Sequence, residues 1–348
     1  MFPEGQDGFD ASFHVYVERL CGTAVEDIAR VGGGGNSRIF RIRTAKKTFA
    51  AKVYPPPTID GRNRLDREFV ALQFLKTKGL VQVPTPIGRD DDACIGLYDW
   101  IDGDAIDAPG HIDIESAAKF ANVLLDLSRT PDAAGIDLAI ESCLAVTDLF
   151  AQIEYRIDLL KEPAISNDDL RRYLETDLMP CYSDEQKTLR DAYEANGWDI
   201  AMPIDVPMRT LSPSDFGFHN ALRRDDGELI FIDFEYFGWD DPVRLASDFV
   251  LHPGMQLGAD LRELFLNRVI ALFSTDPDFG KRLGLLFPLV GIRWCLIILN
   301  EFLNNHWARR ALVNPSDNQS AAKHRQLEKA KQLLSSLETR KGEILRAI

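Results

Sequence analysis

The sequence predicts an α+β fold of two lobes, a small β-rich N-terminal lobe and a larger helical C-terminal one. Two changes of texture predict it. Residues 27–54 alternate β-rich runs with a glycine cluster. Beyond Gly103 the apolar residues recur at helical period, and strand character returns only around 204–234.

In chain order, Ile28 to Val31, Ile39 to Ile42 and Thr48 to Tyr54 read as the strands of a meander. Asn63 to Lys78 sets Leu65, Phe69, Leu72 and Leu75 close to one helical face, and Gly79 follows as a stop signal. Pro84 and Pro86 mark a turn, and strand character resumes over Cys94 to Tyr98. Residues 1–98 are therefore expected as the first lobe, 99–103 as a hinge and 104–348 as the second lobe. In that second part Ile114 to Leu127 and Ser142 to Leu160 read as helices, and the C-terminal segment as a charged amphipathic helix with Leu327, Leu333, Leu334, Leu337 and Leu345.

A length of 348 residues with 45% hydrophobic content provides for a sizeable core. The formal charge of -14, without any Lys/Arg block, argues against a nucleic-acid partner and against docking on anionic membranes. Five scattered cysteines without a CxxC pair read as reduced thiols of a cytosolic protein. The opening MFPEGQDGFD lacks the basic and apolar regions of a signal peptide. Leu285 to Leu299 is interrupted by Pro288, Gly291 and Arg293 and reads as a short buried helix, too short for a membrane span. A cytoplasmic location is expected.

The residues that carry chemistry fall into an ordered series. Gly32 to Gly35, with Asn36 and Ser37, lie between two expected strands. Without a Cβ, glycines let backbone N–H groups approach phosphates, though a flexible hairpin turn reads as readily from this cluster alone. Lys52 ends the apolar run FAAK, where a buried ammonium needs a matched charge, and Glu68 on the following helix is the natural partner. Asp215 and Asn220 lie in the polar segment SDFGFHN, after the apolar stretch Ile204 to Leu211. Asp233 closes the strand Leu229 to Ile232. Each of these alone reads as a turn-former. In this order they match a phosphoryl-transfer template: Lys52 on the ATP phosphates, Asp215 as the base, Asn220 and Asp233 as oxygen ligands of Mg²⁺. No zinc-hydrolase or serine-hydrolase pattern competes.

With these motifs the chain resembles the aminoglycoside phosphotransferase and choline kinase-like family of small-molecule kinases, from about Val31 to Phe249. The resemblance implies a protein-kinase-like fold. It also implies that GGGGNSRIFRI, with Gly33, Gly34, Gly35, Asn36 and Ser37, binds the nucleotide beside Lys52 and Glu68. LYDWIDG resembles the family's hinge, which would set adenine against the backbone of Asp99 and Ile101. The family's usual His-Gly-Asp before the asparagine is here Pro213-Ser214-Asp215, and IDFE resembles its Ile-Asp-Trp-Glu. The usual Asp-Pro-x-x-Asp becomes DDPVRLASD, which moves the supporting aspartate to Asp248.

The implied activity is transfer of the γ-phosphate of ATP, with Mg²⁺, to a hydroxyl of an aminoglycoside-, amino alcohol- or sugar-like acceptor. Glu235, and Arg293, Asn300 and Glu301 of RWCLIILNEFLNNHW, are the expected acceptor residues; the last three recur at helical spacing. An ordinary core helix reads as readily there. A nucleotide-binding regulator or scaffold without turnover is the alternative reading, and Pro213-Ser214 is the feature that keeps it open.

Overall fold

A computed structural model describes residues 11–31, 37–304, 306–307 and 318–348. The fold is α+β and divides into two compact units. The first takes in the described residues up to Asp107 together with Phe218–Phe237; the second takes in Ala108–Gly217 and the described residues from Gly238 onward.

The first unit is built on a five-stranded antiparallel sheet in the order β1-β2-β3-β5-β4. Its strands are β1 (Val25–Val31), β2 (Arg38–Thr44), β3 (Thr48–Val53), β4 (Pro86–Asp90) and β5 (Ile95–Asp99). In β2 the alternation is strict: Phe40, Ile42 and Thr44 are buried, whereas Arg41 and Arg43 face water. Helix α1 (Ala11–Cys21) adds Phe13 and Val17 to the core formed by Phe40, Ile42, Phe49, Ala51, Ile95 and Leu97. Burying each such large side chain stabilises the unit by about 1.5–3 kcal/mol.

A one-turn helix α2 (Pro57–Asp60) precedes α3 (Arg64–Thr77). Asn63 caps α3 by accepting the Asp66 N–H. Gly79, with φ +79°, ends it in the left-handed conformation that closes helices without a Cβ clash. Beyond it, β6 (Asp104–Ala105) pairs with β8 (Ala221–Arg223) and β8 with β9 (Leu229–Phe231), all antiparallel.

The second unit is helical: α4 (His111–Ser128), α5 (Val146–Ile165), α6 (Asp168–Arg172), α7 (Met179–Ala195), α8 (Pro242–Leu251), α9 (Ala259–Leu272), α10 (Phe279–Ile298) and a helix over Gln319–Ala347. Two short strands, β7 (Thr210–Ser212) and β10 (Gly238–Asp240), pair antiparallel within it.

Three expectations are corrected. Of Ile204 to Leu211 only the end joins a strand, because Pro207 has no N–H for a ladder and sits in a 3-10 turn over Val206–Met208. The segment 293–307 is not one helix: α10 stops at Ile298 and a 3-10 turn covers Leu299–Phe302. The apolar helix is also longer than its apolar stretch, running with that turn over Phe279–Phe302. By length and composition alone it could cross a membrane, but 83% of its most apolar window is buried, which makes it a core helix.

Candidate active site

In the first unit, β3 turns Lys52 into the interior, where 7% of the residue remains exposed. Its ammonium meets three carboxylates: Glu68 Oε2 at 2.6 Å, Asp233 Oδ1 at 2.6 Å and Glu235 Oε2 at 3.3 Å. Glu68 reaches it from α3 and is fixed from two further sides. Tyr54 donates its hydroxyl to Oε2 at 2.6 Å, and the Phe234 N–H donates to Oε1 at 3.2 Å. Tyr54 in turn shares a hydrogen bond of 2.8 Å with Tyr98. Gly96, cross-strand from Lys52, makes this possible, since a methyl group there would collide with the Tyr98 ring.

Asn220 and Asp233 stand at the same end of the β8–β9 hairpin. The Ile232 N–H donates to the Asn220 carbonyl at 2.9 Å, one residue beyond the end of β9 on one side and one before β8 on the other. Asp233 adopts φ +67°, a left-handed conformation that a non-glycine residue holds only when its surroundings dictate it.

Electrostatics sharpens the picture. Burial by itself disfavours the Lys52 ammonium, but Asp233, Glu68 and Glu235 outweigh that and hold its pKa well above the ordinary value. Desolvation raises the Asp233 carboxyl above the ordinary carboxylate range against the pull of Lys52, with Glu235 and Glu68 adding to the rise. Arg64 is the second cation of the cluster. From the first turn of α3 it pairs with Glu235 Oε1 and donates to Tyr236 Oη at 2.7 Å. Two cations thus face three carboxylates, whose oxygens approach within 4.8 Å of one another. Of the three, Asp233 is the one whose side chain stays partly exposed, and its carboxylate, with the Asn220 side chain at the same end of the hairpin, offers hard oxygen donors that fit a dication such as Mg²⁺.

The other expected residues fall as follows. Gly33, Gly34, Gly35 and Asn36 lie outside the described residues. Ser37 donates its hydroxyl to Glu235 Oε2 at 3.3 Å. Asp99 ends β5; its N–H donates to the Thr85 carbonyl at 2.9 Å and its carboxylate takes Lys47 at 2.6 Å. Ile101 follows, half-buried and outside regular structure. Glu235, expected at the acceptor, is 1% exposed and its carboxylate is engaged by Arg64, Lys52 and Ser37.

In the second unit, β7 leads through Pro213 into Ser214 and Asp215. Ser214 has φ +64° and donates its N–H to Ser212 Oγ at 3.0 Å. Phe216 packs on Phe120 and Phe249, with ring centroids 5.8 and 5.1 Å away. Asp215 Oδ1 lies 3.6 Å from His252 Nε2.

Arg293, expected at the acceptor, is buried and donates to Gln152 and Glu141, each at 2.7 Å, tying α10 to α5 and the segment before it. Asn300 and Glu301 sit in the turn beyond α10, so the single helical stripe expected for them does not form. A cavity of about 570 Å³ opens in this unit between Trp198, Met208, Val243, Arg244 and Arg282, and none of the expected acceptor residues lines it.

Sequence reasoning missed Arg64, the Tyr54–Tyr98 pair and His252. Arg64 was within reach, because it precedes Glu68 by one helical turn in RLDREF. Nothing in the sequence singles out His252.

A family model described as "phosphotransferase enzyme family" matches residues 27–283. No curated protein matches the chain by sequence. Among solved structures, choline kinase LicA from Streptococcus pneumoniae is similar at a TM-score of 0.56 and 16% identity, covering 94% of this chain and 100% of that one. A spectinomycin phosphotransferase in complex with ADP and spectinomycin aligns at a TM-score of 0.59 and 12% identity, over 93% of this chain and 98% of that one. A Plasmodium vivax ethanolamine kinase aligns at 0.57 and 13%, over 95% and 90%. At these identities the likeness is one of fold, the protein-kinase-like fold.

Proposed function

We infer the function from a membership: the chain belongs to the phosphotransferase enzyme family. It is a small-molecule phosphotransferase, and we propose that it moves the γ-phosphate of ATP, with Mg²⁺, to a hydroxyl of a small acceptor. The observation that carries this reading is the buried Lys52 held among Glu68, Asp233 and Glu235.

Bound Mg²⁺ and ATP would supply the phosphoryl group and the charge that neutralises it as it transfers. Asn220 and Asp233 would hold the metal through oxygen. Lys52, still protonated because its carboxylates keep it so, would bring a fixed positive charge to the phosphates. Glu68 would keep that ammonium oriented, and Tyr54 would keep Glu68 in place. Gly33, Gly34, Gly35, Asn36 and Ser37 would cradle the nucleotide, with adenine against the backbone of Asp99 and Ile101 in a hinge over residues 99–103. Asp215 would accept the proton of the attacking hydroxyl.

Choline, ethanolamine and spectinomycin, the compounds named for the similar structures, all belong in the first acceptor panel, beside sugars. In this reading the protein works in the cytoplasm, without a nucleic-acid or membrane partner. The rival reading, a nucleotide-binding regulator without turnover, draws on Pro213-Ser214 ahead of Asp215.

The test is ADP formation with Mg²⁺ across amino alcohols, aminoglycosides, sugars and nucleosides. Turnover with one acceptor class, abolished by chelating the metal, supports the kinase. Nucleotide binding without turnover on any acceptor favours the regulator.

A further inference from the structure

We propose that His252 is a positioning residue for Asp215, holding the aspartate carboxylate by the proton on Nε2. This rests on the reading of Asp215 as the base.

The ring is held in one orientation and one tautomer. His252 closes α8, donating its backbone N–H to the Asp248 carbonyl at 2.9 Å. Its Nδ1 accepts the Gly254 N–H at 3.1 Å, so that nitrogen presents a lone pair and the ring proton belongs on Nε2. That Nε2 lies 3.6 Å from Asp215 Oδ1. Trp294 meets the imidazole edge-on, centroids 4.7 Å apart at 89°, which fixes the ring plane. Trp294 is anchored by its own Nε1–H on Asp248 Oδ1 at 2.8 Å, and Arg244 holds the other Asp248 oxygen at 2.8–2.9 Å.

The same helix end supports the backbone on which Asp215 sits. Phe249 of α8 packs under Phe216, the residue after Asp215, and stacks on Phe265 at 3.8 Å. The aspartate itself follows a left-handed Ser214 and stands on a loop, so its side-chain torsion is not set by a regular element. The His252 Nε2–H beside Oδ1 is placed to restrain it. At 3.6 Å the two atoms stand just beyond hydrogen-bond range, a distance at which the contact is electrostatic.

Two variants separate positioning from packing. His252→Ala should lower kcat by about tenfold to a hundredfold, the range that follows from a misplaced reacting group, with KM for nucleotide and Tm nearly unchanged. His252→Gln, whose amide carries an N–H at similar reach, should recover most of that loss. Wild-type kcat in the alanine variant overturns the proposal, as does an equal loss in both variants that tracks a fall in Tm. Nitrogen NMR of the full-length protein decides the pairing without any turnover. The proposal requires an Nε2–H tautomer whose resonance shifts in Asp215→Asn; an Nδ1–H tautomer, or indifference to that substitution, overturns it. If the wild-type protein phosphorylates no acceptor, the kinase reading fails, and the NMR result still stands for or against the His252–Asp215 contact.

Discussion

Lys52 keeps its charge inside the first unit because three carboxylates surround it, and those carboxylates tolerate one another because Lys52 and Arg64 lie among them. Replacing Lys52 with Met leaves the carboxylates short of a cation and, in the proposed reaction, would leave the phosphates without their fixed charge. Transfer should slow by about a hundredfold or more, and wild-type kcat in Lys52→Met would contradict the role. The pairing of Lys52 with Glu68 was legible, because a lysine ending an apolar strand needs a matched charge and the following helix carries one. The Arg64–Glu235 pair was not, since 171 residues separate the partners and an arginine in the first turn of a helix is ordinarily exposed.

Asp240 shows the same physics without a matched charge. It is fully buried, and burial pushes its carboxyl up to about 6 although Arg244 and the N–H groups of Cys143 and Asp241 oppose the rise. The folded protein therefore keeps this proton between about pH 4 and pH 6, where the unfolded chain has lost it. Stability present at low pH should fall by roughly 3 kcal/mol as pH rises through that window. The unfolding free energy of the wild type, measured against Asp240→Asn at pH 4 and pH 7, checks the sign. A wild type that gains on the variant with rising pH would contradict it.

At the scale of elements, periodicity found the helices and strands that have one buried face, such as β2 and α3. It failed where side chains or loops decide. Gly291, Pro288 and Arg293 looked like interruptions of an apolar stretch, yet α10 runs through all three. Gly291 leaves space for Leu337 of the helix over Gln319–Ala347, which a Cβ would strike, and Arg293 is buried with its donors satisfied. Such compensations come from distant parts of the chain, so local pattern cannot show them. β10 depends on the same kind of fit. A methyl group at Gly238 would collide with the backbone of Asp137 to Ala139, against which β10 lies. Gly238→Ala should therefore destabilise the protein by more than about 2 kcal/mol, read as a fall in the denaturant midpoint at unchanged slope. A loss within about 0.5 kcal/mol would show that this backbone can shift at little cost.

At the scale of the whole molecule, the fold class and the family were legible, because an ordered set of polar residues on expected turns and strands points to one chemistry. The acceptor was not. The residues expected for it are buried in ion pairs or stand beyond the end of α10, and a net charge of -14 describes the surface as a whole rather than any pocket. The proposal therefore concerns reaction and machinery: transfer of the γ-phosphate to a hydroxyl, with Asp215 proposed as the base. The most direct measurement is phosphorus NMR of ATP, Mg²⁺ and the best acceptor of the panel, with wild type and Asp215→Asn side by side and nucleotide affinity measured for both. A phosphate ester should form with the wild type, and the variant should form it slower by about a hundredfold to ten-thousandfold at unchanged nucleotide affinity. Ester formation by Asp215→Asn at the wild-type rate would contradict the account.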